Sequence, residues 1–121
     1  MTNDDQVQLF IAILSAHKGV ARAISVADMA GRLGFERNKS GQRRAQHIKA
    51  EAVERGVLVG SSCGVSHGWY APETSEEIHA TLAQYKARIR SLARLIRRTE
   101  GAAGFREFVG QLTMDLEEVE R

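Results

Sequence analysis

Apolar residues recur along this chain at two different periods, and the change from one to the other marks out its elements. Val7, Phe10, Ile11 and Leu14 are spaced by threes and fours and predict a first helix, capped by Asn3 or Asp4 and ending near Lys18 and Gly19. Val26, Met29, Ala30 and Leu33 repeat the pattern in a second helix, started by Ser25 with Asp28 three positions on and stopped at Gly34. Ile24, at the end of the connection, reads as a short strand lying beside a later hairpin. A third helix over residues 42–55 turns a narrow face of Ala45, Ile48 and Ala52 inward, and Gly56 stands where a helix C′ residue takes positive φ. There the period shortens. Val57-Leu58-Val59 is too short for another helix and predicts a strand, residues 60–68 have the small, turn-forming composition of a hairpin tip, and Trp69-Tyr70-Ala71 predicts the return strand before Pro72.

Beyond Pro72 the helical period returns and holds to the end. Thr74 with Glu77 is a capping box, opening a seam of Ile78, Leu82, Tyr85, Ile89, Leu92 and Ile96 that steps by four, three, four, three and four. Residues 100–104 interrupt the seam, and Phe105, Phe108, Val109, Leu112, Leu116 and Val119 share one side of a last helix. The seam is expected to be buried in a homodimer interface or against residues 105–119, and both arrangements suit the pattern. The expected fold is mainly α with a small β-hairpin, divided into a head over 1–72 and a helical hairpin or dimerisation module, coiled-coil in character, over 73–121.

Charge sharpens this picture, although the net value of +2 is small. From Arg32 to Lys49 there are six Lys or Arg against one acid, Glu36; from Lys86 to Arg98 there are six more and no acid; Asp115, Glu117, Glu118 and Glu120 make the end acidic. Two positive surfaces suited to phosphate result, with a negative tail that avoids it. On the third helix Arg43 and His47 lie opposite the buried face, with Arg44, Gln46 and Glu51 at the flanks. Arg43 has the geometry to donate a bidentate pair to guanine, and Gln46 or His47 to touch neighbouring base edges. Lys39, Ser40 and the amides near the helix start suit phosphate, and Arg37, Gln42 and Arg44 complete the candidate surface. Lys49 borders the buried stripe and reads as a snorkelling side chain. The hairpin tip adds Ser66 and His67 but no Lys or Arg. The plainer readings are a solvated helix face and a tight hairpin. The basic run 86–98 fits a second DNA-facing surface, the flank of a dimer seam, or a docking site for an acidic protein partner, and the acidic last helix is its natural internal partner.

Other chemistries find little purchase. Cys63 and His67 are spaced like half a zinc site without a second pair, and as nucleophile and base they lack a third orienting group. There is no phosphate-cradling glycine loop with its Lys and Ser or Thr. No metal, no cofactor and no catalytic activity are expected. A single cysteine, no apolar run of membrane-spanning length and no charged-then-apolar leader predict a cytosolic protein with no membrane partner.

The segment from Ile24 to Gly34, followed by Val53-Glu-Arg-Gly-Val57 and Gly68-Trp-Tyr-Ala-Pro72, resembles winged helix-turn-helix DNA-binding domains, especially those at the N-terminus of biotin-operon repressors and in small phage and bacterial regulators. The resemblance covers about the first 72 residues. It implies that the first two helices cradle the third, which enters the major groove of double-stranded DNA beside a β-hairpin wing. One departure stands out: seven residues, Phe35 to Gly41, separate Gly34 from Gln42, where the family has a turn of three or four. Either the recognition helix starts early or a longer loop presents it. The function expected is sequence-specific DNA binding as a transcriptional regulator or a phage or plasmid factor. The alternative is a protein-interaction adaptor using the same scaffold in a replication or transcription complex.

Overall fold

The computed structural model describes residues 2–62 and 68–119, in two compact units, Met1–Leu82 and Ala83–Arg121. The first unit runs α1 (Asn3–Ser15), a 3-10 turn (Val20–Arg22), β1 (Ile24–Ser25), α2 (Val26–Arg32), α3 (Lys39–Glu54), β2 (Gly60–Ser62) and β3 (Gly68–Tyr70). A final helix, α4 (Ser75–Val119), follows, and it leaves helical geometry only at Gly101 (φ 80°, ψ 177°). The mainly helical fold with one small hairpin is therefore as expected.

Local chemistry starts and stops each helix. Thr2, not Asn3 or Asp4, caps α1: its hydroxyl accepts from the Asp5 amide at 3.1 Å while its own amide donates to the Asp5 carboxylate at 3.2 Å. Hydrogen bonds with Thr2, side chain first and backbone second, hold the Asp5 carboxyl below its ordinary pKa. Ser25 caps α2 by accepting from the Asp28 amide at 3.1 Å, as its spacing foretold. At the end of α3 the Val57 amide returns to the Ala52 carbonyl and the Gly56 amide to that of Val53, a paired closure that needs the φ of +91° found at Gly56.

The core lies where α1, α2 and α3 meet the sheet. Val7, Phe10 and Leu14 from α1, Met29, Ala30 and Leu33 from the α2 region, and Ala45, Ile48 and Ala52 from α3 are buried, with Val59 and Trp69 closing the base. Ile13 is buried where the spacing favoured Ile11, which is only partly covered. Trp69 meets Phe10 edge-on, with ring centroids 5.7 Å apart.

Among the described residues three strands pair antiparallel in the order β1-β3-β2, so the return strand is central. Ile24 pairs with Trp69, which realises the short strand expected beside the hairpin. The other partner differs from expectation. Pairing begins at Gly60, opposite Tyr70, and not at Val57, because Val57 is still tied to the end of α3 and the chain then drops Val59 into the core. Trp69 and Tyr70 are both buried, so they pack and are not stacking platforms.

The chain leaving β3 is pinned to the end of α1, where the Gly19 amide donates to the Ala71 carbonyl and the Ala71 amide to that of His17. Thr74 and Glu77 form the expected capping box at the start of α4. Glu77 also reaches outside its helix, accepting from the Val20 amide at 2.8 Å and from that of Glu73 at 3.0 Å. The Val20 bond, then that of Glu73, holds the Glu77 carboxyl below its ordinary pKa, with Thr74 adding to the effect.

Candidate nucleic-acid interface

The departure in the turn before the third helix resolves into an early start. Asn38 caps α3, its side chain accepting from the Gly41 amide at 3.0 Å, so the helix begins three residues ahead of the expected Gln42. Gly41 makes this compact arrangement sterically feasible. A Cβ there would lie 1.6 Å from the Glu36 carbonyl oxygen, so any side chain would drive the turn off the helix. Behind α3 the buried residues Gly41, Ala45 and Ala52 are small, and only Ile48 is bulky, which lets the helix sit deep against α1 and α2 while its opposite side stays open.

That open side carries Lys39, Arg43, Gln46, His47, Ala50 and, in the last turn, Glu54, all exposed. Ala50 has no polar group to mark it in the sequence, although the helical step from Arg43 and Gln46 leads to it; a small exposed residue there leaves the helix surface open to close approach. Arg44 lies on the flank facing α1, with its guanidinium carbon 5.8 Å from the centre of the Phe35 ring. Lys49 is on the other flank, its ammonium 5.4 Å from the centre of Trp69, which agrees with a stem laid along apolar surface. Residues 39–50 of the helix therefore gather four cations without an acid. Further along, Glu51 accepts from the Asn3 side chain at 2.5 Å, and Arg55, just past the helix, pairs with Asp4 at 2.8 Å.

Two candidate residues have other duties. The half-buried Gln42 donates its side-chain amide to the Arg37 carbonyl at 3.0 Å, fastening the turn. Arg37 pairs with Asp28 and borders a surface concavity with His17, Ser25 and Arg32, away from the open side of α3. There His17 Nδ1 lies 2.7 Å from the Arg22 carbonyl, which can only accept; the proton is therefore on Nδ1, and Nε2 faces Arg32 at 3.4 Å. Ser40 is exposed in the first turn of α3. Ser66 and His67, and with them Cys63, lie outside the described residues.

The residues expected at a dimer interface are uneven in the chain alone. Ile78, Leu82, Ile89 and Leu92 are exposed, while Tyr85 and Ile96 are half-buried. Among the described residues no helix is long and apolar enough to cross a membrane. In comparisons with known proteins, no family model matches the chain, and no curated protein or solved structure does either.

Proposed function

We propose that this chain binds double-stranded DNA at a specific sequence, as a small transcriptional regulator or a phage or plasmid DNA-binding factor working in the cytosol. The observation that carries the reading is the stretch 39–47 of α3, where Lys39 and Arg43 share an open face with Gln46 and His47 and no acid intrudes. Cations alone attract any polyanion. Amide and imidazole groups set between them, on a rigid helix of groove-filling width, add the means to tell base pairs apart. In this reading Arg43 reads guanine, Gln46 and His47 touch neighbouring edges, Ala50 meets a thymine methyl, and Lys39, Ser40 and Arg44 hold phosphates on either side. The lone Cys63 suits a reducing compartment.

Selection of bound duplexes from a random-sequence pool by the purified protein tests this. An enriched site is expected, and a pool from which no duplex is retained contradicts it. A second reading, a protein-interaction adaptor, is favoured by one observation, the exposed apolar side chains of residues 83–119.

A further inference from the structure

The unit Ala83–Arg121 leaves its apolar side chains in solvent: Ile89, Leu92, Leu95, Phe108, Leu112 and Leu116 are 40–62% exposed. Side chains of this size together present several hundred Å², the scale at which an apolar patch marks an interaction site and a large part of the roughly 800 Å² per partner of a standard interface.

Charge indicates what covers this surface. The limb before Gly101 carries six cations from Lys86 to Arg98 and no acid in that run, whereas the limb after it carries Glu107, Asp115, Glu117 and Glu118 against Arg106. Pairing the seam with its own copy, basic limb on basic limb, would set like charges side by side and is disfavoured. Pairing basic on acidic sets opposite charges together. Because one chain holds both limbs, a second copy offers each limb the charge it needs, and a two-fold axis satisfies both contacts at once. Lys86, Arg88 and Arg90 lie about as far before Gly101 as Asp115, Glu117 and Glu118 lie after it, so antiparallel limbs aligned about that residue bring the two triplets level.

We propose that residues 83–119 form a homodimer interface in which the basic limb of each copy packs on the acidic limb of the other, closing a four-helix arrangement over the exposed apolar faces. The basic run then belongs to the interface and is not a second DNA surface. This inference does not depend on the DNA reading, and its test contains no DNA.

Sedimentation of the full chain at micromolar concentration should give a dimer, weakened as sodium chloride is raised. Reversing the basic triplet (Lys86→Glu, Arg88→Glu, Arg90→Glu) or the acidic one (Asp115→Lys, Glu117→Lys, Glu118→Lys) should raise the dimer dissociation constant at least about ten-fold. Mixing the two variants in equal amounts should restore dimers, since each reversed limb then meets an opposite charge. A monomeric wild-type chain overturns the proposal, and so does a dimer that tightens with salt, a measurement needing no variant. An acidic-triplet variant that dimerises like the wild type would mean pairing through the basic seam alone. A mixture that forms no heterodimer would mean limbs paired only within their own chains. Either result overturns the proposal too.

Discussion

Two stretches of this chain are written in the same hydrophobic code and end in opposite states. In α1, Val7, Phe10 and Leu14 recur at helical spacing and are buried; in α4, Ile89 and Leu92 before Gly101, and Leu112 and Leu116 after it, recur at the same spacing and stand in solvent. The difference lies in what else the chain supplies. Around α1 it provides α2, the small-residue back of α3, and Trp69 from the central strand. A repeat of threes and fours specifies which residues share a face, and says nothing of what meets it. The two basic stretches differ in a parallel way. On α3 the cations alternate with Gln46 and His47 over a rigid support, whereas the run 86–98 is interleaved with aliphatic residues and is followed in the sequence by an acidic stretch.

The sharpest way to break the comparison is to truncate one apolar side chain in each stretch. Phe10→Ala should cost the head about 3–5 kcal/mol, the usual penalty for emptying a core aromatic site. Leu92→Ala should leave the head's own unfolding within about 0.5 kcal/mol of wild type, with Trp69 fluorescence in urea reporting both. Equal losses would erase the distinction. A smaller effect is expected at Gly41→Ala, where the new methyl group meets the Glu36 carbonyl. Overpacking of this kind costs about 1–3 kcal/mol, and it should also lower DNA affinity by displacing the start of α3. Asn38→Ala removes the cap alone and should cost about 1 kcal/mol by the same fluorescence assay.

The least effect is expected at Glu77, and it should depend on pH. Its carboxyl titrates below the ordinary 4.5 because the Val20 amide, then those of Glu73 and Thr74, donate to it. A pKa lowered by folding contributes stability above the unfolded value and loses it as pH falls through the folded one. The gap in stability between wild type and Glu77→Gln, present at neutral pH, should therefore narrow below about pH 4.5. A gap that stays constant into acid would show that the carboxylate charge contributes nothing.

Much of the head was legible because its signals are periodic or local. The buried face of α3, the Ser25 start of α2, the Gly56 stop and the pairing of Ile24 beside the hairpin all follow from spacing or from backbone demands. Contacts across a turn are of another kind. That Gln42 is spent on the Arg37 carbonyl, and Arg37 on Asp28, depends on how residues 34–41 fold, and no period reports it. The strand displaced from 57–59 to 60–62 has the same origin. Val57 and Val59 signal burial by their composition, but pairing was decided by the closure of α3 and the register opposite Tyr70. In the second unit the face was legible and its occupant was not, because spacing records which residues share a face and carries no mark of what covers it.

The central claim is that the open face of α3 reads DNA, and the two adjacent arginines test it. Arg43 projects from that face and Arg44 lies on its flank over Phe35, so they should contribute binding energy of different kinds. The measurement is a titration of the protein, Arg43→Ala and Arg44→Ala with the selected duplex and with scrambled duplexes across a range of salt. Arg43→Ala should lose about 1–3 kcal/mol on the selected site and relax discrimination at one position. Arg44→Ala should weaken every duplex alike and reduce the slope of affinity against salt by about one. If neither substitution changes affinity for any duplex, α3 is not a reading helix and the DNA-binding account is wrong.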